Sequence, residues 1–141
     1  MTDSTASTHT LVIEREFPHA PEKIWRALTE SALIQQWLMQ NDFQPTVGHK
    51  FNLRTTPMPN WNGVIDCEVV AIKPLQVLSY TWGSLGLKSV VTFTLTATTA
   101  GTHLRMEQSG FPDTESAYYK GASYGWQKFL GSLEKVVEEL Q

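Results

Sequence analysis

The 141-residue sequence has almost no cysteine and no strong excess of charge of either sign. Its one cysteine, Cys67, cannot form a disulfide within the chain, which favours a reducing, cytoplasmic setting. The formal net charge is −3, from 11 basic and 14 acidic residues. This balance argues against nonspecific binding of nucleic acid, because such binding needs clustered lysine and arginine against the phosphates.

The sequence also lacks long apolar runs. No run approaches the ~18 apolar residues that a membrane span needs, so we expect no membrane partner. The first nine residues, MTDSTASTH, are polar and lack the apolar core of a signal peptide. We therefore predict that residues 1–9 form a disordered tail and that residues 10–141 form a single domain, which is an ordinary size for one globular unit.

Motifs of catalytic and metal centres are missing as well. The four histidines, His9, His19, His49 and His103, show no metal-ligand spacing such as two histidines at i and i+4 on a helix. There is no glycine-rich phosphate loop, serine-nucleophile elbow or signature pair of carboxylates. Cys67 has no evident base beside it, which favours a buried structural thiol over a nucleophile. We therefore predict no catalytic residue, no metal and no cofactor.

The sequence is instead rich in aromatic residues, which make up 11% of the chain and include five tryptophans. Alternating apolar and polar residues predict a first strand over residues 11–17. Pro21 suits the first position of a helix, where its missing N–H costs nothing. Apolar residues three and four positions apart then predict two short helices, one containing Trp25 and the other Trp37.

Five more strands are predicted, over residues 50–55, 64–72, 77–82, 90–97 and 103–108, joined by short turns. Such a succession is typical of an antiparallel meander. Apolar spacings then predict one long helix from Ala122 to Leu140. The fold class is therefore α+β, with six antiparallel strands and one helix long enough to cover them. A curved sheet that grips a single helix leaves gaps, which side chains fill or which remain as a cavity.

Five longer motifs carry a resemblance to a known family. They are "APEKIWRALTE" followed by "IQQWL", "TVGHKFNLR", "NGVIDCEVVAIKPLQVLSYTWG", "VTFTLTATTAGTHLRMEQSGF" and "GWQKFLGSLEKVVEEL". In their order and spacing they resemble the START-like, helix-grip superfamily, and within it the bacterial family named after the activator of heat-shock-protein-90 ATPase homologue. The resemblance covers nearly all of the chain after Thr10. It implies a six-stranded curved antiparallel sheet wrapped around the C-terminal helix.

The resemblance implies several functions, because members of the superfamily bind hydrophobic or aromatic molecules, cyclise polyketides, sequester reactive metabolites or stimulate a chaperone ATPase. Our first expectation is binding of a hydrophobic or aromatic small molecule in a cavity between the sheet and the C-terminal helix, without covalent chemistry. One alternative is a polyketide aromatase or cyclase, in which Tyr80, Tyr119 or Gln108 would polarise carbonyls; no strong interior base accompanies them. The other is a chaperone ATPase activator or stress-response co-factor. The eukaryotic proteins behind the family name carry a further N-terminal domain, for which we expect no room here. The sequence leaves open whether the protein forms a homodimer.

Candidate ligand contacts are the residues that face inward in the predicted elements, with Met58, Trp61 and Phe111 at the mouth of the cavity. For each of these residues the alternative to ligand contact is packing in the core, because alternation of apolar residues indicates burial before it indicates binding. An interior glutamine without a partner would cost about 1–3 kcal/mol, so Gln108 predicts a water, a tyrosine hydroxyl or a ligand beside it. The predicted ligand-binding residues are Trp37, Phe51, Leu53, Met58, Trp61, Tyr80, Trp82, Val91, Phe93, Met106, Gln108, Phe111, Tyr119, Ser123 and Trp126.

Overall fold

A computed structural model describes residues 9–59, 61–84, 86–112 and 117–140. The described residues form seven strands and three helices. In chain order these are β1 (His9–Phe17), α1 (Pro21–Thr29), α2 (Ser31–Trp37), β2 (Gln40–Asn41), β3 (Lys50–Arg54), β4 (Val64–Lys73), β5 (Val77–Ser84), β6 (Leu87–Ala97), β7 (Thr102–Phe111) and α3 (Ala117–Glu139). Residues 1–8 of the predicted tail lie outside the described residues, and its last residue, His9, is the first residue of β1.

The strands form one antiparallel sheet in the order β1-β7-β6-β5-β4-β3-β2. The predicted α+β fold and the meander from β3 to β7 are confirmed, but the predicted count of six strands is wrong. The seventh strand is β2, which has two residues and pairs Gln40 with Arg54 and Asn41 with Leu53. Two residues are too few to show an alternating pattern. Contacts distant in sequence hold them in place, including a 2.8 Å hydrogen bond from the Ser31 hydroxyl to the Asn41 side chain.

The two short helices pack against each other and against α3, and α1 also contacts β6. Each is too short to be stable alone in water, so burial of its apolar face must stabilise it. The indole of Trp37 is buried and donates a hydrogen bond to the carbonyl oxygen of Ala27, at 2.8 Å. This bond joins α2 to α1 and fixes the helix pair near α3.

The long helix begins at Ala117, five residues before the first apolar position of the predicted helix. Its buried residues are Trp126, Leu130, Leu133, Val136 and Val137, at spacings that keep them on one face. The inner sheet residues that surround this face belong to the same buried core. The core of the protein therefore lies between the sheet and the C-terminal two-thirds of α3.

The edge strand β1 is joined to β7 by a charged cluster centred on His103. The Nε2 atom of His103 lies 2.6 Å from Oε1 of Glu14, and its Nδ1 atom is hydrogen-bonded to Glu16. Arg105 adds an ion pair to Glu14, at 3.8 Å. The hydrogen bonds that the His103 ring donates to Glu16 and then to Glu14 raise the pKa of His103 above its ordinary value, because both carboxylates favour the imidazolium form.

This cluster predicts a pH-dependent stability. Because the pKa of His103 is raised in the folded protein, its contribution is complete below the unfolded value of about 6.5 and is lost as the pH rises through the folded value. We expect His103→Gln to lower the melting temperature at about pH 6 and to have little effect at about pH 9. A His19→Gln variant removes an imidazole outside the cluster and is the control. Equal losses at both pH values in thermal melts would contradict the prediction.

Candidate functional site

The space between the inner face of the sheet and α3 is filled largely by aromatic side chains. The Trp126 ring of α3 lies 5.2 Å from Trp82 and 5.8 Å from Phe93, measured between ring centroids. Phe93 in turn lies 6.1 Å from Tyr80 and 6.2 Å from Trp37. These edge-on and tilted arrangements are favourable for aromatic pairs. The middle of the predicted cavity is therefore occupied by side chains of the protein itself.

Gln108 has hydrogen-bond partners inside this core, where it is only 2% exposed. Its Oε1 atom accepts a 2.8 Å hydrogen bond from the Trp126 indole N–H, and its Nε2 atom donates to Oγ of Ser89 at 2.9 Å. The Ser89 hydroxyl donates to the carbonyl oxygen of Trp82, at 2.9 Å. The prediction of a water, a tyrosine hydroxyl or a ligand beside Gln108 is corrected to these partners. The network joins α3 to β5, β6 and β7.

Two ionisable side chains in the core are held in their neutral forms. Burial, with smaller contributions from the charges of Asp66 and Asp42, raises the pKa of the Cys67 thiol. Burial likewise raises the pKa of Tyr80. A thiol that stays protonated is a poor nucleophile, and this agrees with a structural Cys67. No group of three or more histidine, cysteine, aspartate or glutamate side chains in the described ranges could hold a metal ion.

A cleft of about 1200 Å³ opens at one end of the sheet. The antiparallel order brings together the start of β4, the end of β5, the start of β6 and the end of β7, and the loop before β4 forms the remaining wall. The apolar lining residues are Pro57, Met58, Pro59, Trp61, Val64, Trp82, Leu87 and Val90. The polar ones are Asn62, Asp66, Thr81, Lys88, Ser89 and Ser109. Ligand pockets are typically concave, mostly apolar and supplied with a few polar groups.

The loop before β4 presents Trp61 to the cleft in a defined position. The backbone N–H of Met58 donates to the Trp61 carbonyl at 2.8 Å, and the Trp61 N–H donates back at 3.0 Å. The Trp61 indole donates to the carbonyl oxygen of Val64, at 3.3 Å. Thr55 is joined to Gly63 by a further backbone bond of 2.8 Å. These bonds hold Trp61 as a half-buried wall, whereas Met58 is 59% exposed.

Of the predicted ligand-binding residues, Met58, Trp61 and Trp82 line the cleft. Tyr119 packs against Phe111, with ring centroids 5.3 Å apart, and Ser123 is half-buried on α3. None of the described residues of α3 lines the cleft. The rest are buried in the core, namely Trp37, Phe51, Leu53, Tyr80, Val91, Phe93, Met106, Gln108, Phe111 and Trp126. A ligand-binding role for any of these residues stays a prediction.

Several cleft residues were missed because they lie on the outward phase of their strands or have no side chain. Asp66 pairs across the sheet with Gly83, and Gly83 pairs with Lys88. The sequence does contain one signal for them, since consecutive strands of a meander meet at their adjoining ends. Residues on both sides of the β5–β6 turn must therefore be neighbours. The burial phase of each strand alone does not reveal this proximity.

Comparisons with known proteins agree with this geometry at the level of the fold. The family model for "Activator of Hsp90 ATPase homolog 1-like protein" matches residues 18–138. The crystal structure of protein MLL2253 from Mesorhizobium loti is 50% identical, with a TM-score of 0.87 and coverage of 94% of this chain and 99% of that chain. The solution structure of protein BH1534 from Bacillus halodurans is 26% identical, with a TM-score of 0.77 and coverage of 92% and 96%.

A more distant similarity shows the fold alone. DynU16, described as a putative protein in the dynemicin biosynthetic locus, is 22% identical with a TM-score of 0.79. That alignment covers 92% of this chain and 47% of DynU16. None of the curated proteins matches the sequence. Within the described residues, no helix combines the length and hydropathy needed to cross a bilayer.

The family model spans most of the chain, and the sheet, the gripped helix and the two short helices have the arrangement that the sequence resemblance implied. The START-like, helix-grip assignment is thereby confirmed. The chain belongs to the family of Activator of Hsp90 ATPase homolog 1-like proteins.

Proposed function

We propose that the protein binds a hydrophobic or aromatic small molecule, without covalent chemistry, in the cleft at the end of the sheet. The observation that carries this proposal is a cleft of about 1200 Å³ with Trp61 and Trp82 among its walls. Aromatic walls combined with a few polar groups are typical of small-molecule sites. Trp61 is half-buried in the loop before β4, whereas Trp82 also packs against Trp126 in the core, with ring centroids 5.2 Å apart.

The size of the cleft suits a ligand of two or three rings. A ligand that buries about 200 Å² of apolar surface gains roughly 5 kcal/mol from its removal from water. Part of this gain is offset by the freedom that the ligand loses on binding. We therefore expect dissociation constants of about a millimolar for simple bicyclic probes.

The cyclase alternative has less support. Two of the residues predicted to polarise carbonyls, Tyr80 and Gln108, are buried in the core and do not line the cleft. Gln108 already uses its amide oxygen and nitrogen in the bonds to Trp126 and Ser89. The chaperone alternative would be favoured instead if the protein stimulated a heat-shock-protein-90 ATPase.

The proposal is tested by calorimetric titration with a neutral bicyclic probe, naphthalene-2-carboxamide. We expect saturable binding that Trp61→Ala weakens about tenfold, because an aromatic contact is worth about 0.5–1.5 kcal/mol beyond its buried area. Tyr124→Ala removes a 69% exposed ring of α3 outside the cleft and is the control.

A second variant, Gly83→Val, tests the position of the ligand. A Cβ atom at Gly83 would make only ordinary contacts, 3.5 Å from the Asp66 carbonyl oxygen and 3.9 Å from that of Leu87. The strand should therefore accept valine, whose side chain then occupies the cleft and reduces binding. Saturable binding that neither Trp61→Ala nor Gly83→Val changes would place the ligand elsewhere. The absence of saturable binding for both this probe and its carboxylate analogue would overturn the proposal.

A further inference from the structure

A row of residues crosses the outer face of the sheet at the cleft. Asn52 pairs with Asp66, Asp66 with Gly83, and Gly83 with Lys88, so the row runs from β3 to β6. Residues paired in this way share one face of a sheet. Because Gly83 has no side chain, the outer face is open between Asp66 and Lys88. The charged ends of these two side chains therefore border a gap that a ligand can enter.

Three hydrogen-bond acceptor atoms on the side chains that line the cleft are already in use. Oδ1 of Asp66 accepts a 2.8 Å bond from the Asn52 side chain. The Asn62 side-chain oxygen accepts from the Val64 N–H at 3.1 Å, and the Thr81 hydroxyl oxygen accepts from the backbone N–H of Glu68 at 2.8 Å. The groups that remain for a ligand include the Lys88 ammonium as a donor and Oδ2 of Asp66 as an acceptor. The ammonium favours a ligand with acceptor oxygens.

Lys88 supplies the positive charge at this site. It is the one lysine or arginine among the described lining residues, and its ammonium forms no ion pair with any side chain in the described ranges. Asp66 does not pair with the Lys88 ammonium. Its Oδ1 atom is bonded to Asn52 on β3, which lies on the side of β4 away from β5 and Lys88. The ammonium is therefore free to pair with a group on a ligand.

The single lysine also limits the charge of the ligand. A phosphate monoester carries nearly two negative charges at neutral pH and is usually held by several cationic or N–H donors. One ammonium, with the Asp66 carboxylate across the gap, matches at most one negative charge. We propose that the cleft selects apolar or aromatic molecules that carry a single carboxylate, and that Lys88 binds this carboxylate. This inference rests on the proposed ligand-binding function and names its ligand class.

Matched probes test the inference. Naphthalene-2-carboxylate and naphthalene-2-carboxamide have the same rings and differ in charge. We expect the carboxylate to bind about two- to fivefold more tightly, the size of effect that a favourable exposed ion pair provides. Lys88→Met should abolish this preference, and Lys88→Arg should retain it. Raising the salt concentration from about 0.05 to about 0.5 M should weaken binding of the carboxylate alone, because salt screens an exposed pair.

The control is Lys73→Met. Lys73 lies at the far end of β4, where it pairs with Val77, about 20 Å along β5 from Gly83 at 3.3 Å per residue. Its replacement should leave the preference for the carboxylate unchanged. Equal affinities for the two probes, or a preference that survives Lys88→Met, would overturn the inference. Binding of naphthalene-2-carboxamide would then still support the proposed function. If neither probe binds, the proposed function fails, and the inference fails with it.

Discussion

Replacing Trp126 with alanine is expected to lower the free energy of unfolding by about 3–5 kcal/mol, the usual cost of removing a large aromatic side chain from a core. Trp126 is 2% exposed, and its ring lies within 6 Å of Trp82, Phe93 and Phe129. Total stabilities of small proteins are about 5–15 kcal/mol, so the loss is a large fraction of the whole. Chemical denaturation followed by circular dichroism measures it directly.

Trp126→Phe separates ring packing from the hydrogen bond to Gln108. This variant keeps an aromatic ring but removes the indole N–H that Gln108 Oε1 accepts at 2.8 Å. We expect it to cost about 1–3 kcal/mol, because a buried acceptor is left without its partner. Adding Gln108→Leu should recover part of that loss, since replacing both partners with apolar groups is close to neutral.

A loss below about 1 kcal/mol for Trp126→Ala would contradict the packing described here.

Replacing Gly101 with alanine is expected to destabilise the protein by more than about 2 kcal/mol, because the new methyl group meets backbone atoms that must shift to make room. A Cβ atom at Gly101 would lie 2.0 Å from the carbonyl oxygen of Phe17 and 2.8 Å from the backbone nitrogen of His19. Gly101 precedes β7, whose Thr102 hydroxyl donates to the His19 carbonyl oxygen at 2.7 Å. The substitution therefore forces the end of β1 away from the β6–β7 turn.

Gly48→Ala is the matched control for Gly101→Ala. Gly48 has a φ of +90°, so alanine is strained there as well, but no atom lies within 4 Å of the added Cβ. We expect a loss of about 1–2 kcal/mol from the backbone conformation alone. Thermal or chemical denaturation of both variants compares the two effects. Equal losses would show that conformation, rather than the contact with β1, decides the cost at Gly101.

The regular elements were predictable because their patterns are local. In β6, buried residues alternate with more exposed ones from Ser89 to Leu95, and this period of two belongs to a strand with one face in the core. The apolar face of α3 shows the helical period in the same way. By contrast, β2 has two residues and exists because β3 and α2 lie beside it, so no local pattern could reveal it.

The partners of single side chains were less predictable. Gln108 was recognised as an interior polar residue that needs partners, but Trp126 lies 18 positions away and Ser89 lies 19 positions away. Alternation along a strand indicates which face a residue occupies and does not indicate which helix residue lies opposite. The aromatic contacts that fill the predicted cavity depend on the same missing information.

The sequence by itself determined the α+β class, the antiparallel meander, the long C-terminal helix and the family, because periodic burial and turn residues act over short stretches of chain. Only the tertiary structure decided where open space remains. Trp126, Phe93 and their neighbours fill the middle of the sheet, whereas the ends of four strands and the Trp61 loop leave a cleft. Empty volume depends on how side chains from distant segments fit together, and that fit is a property of the packed structure that no single segment contains.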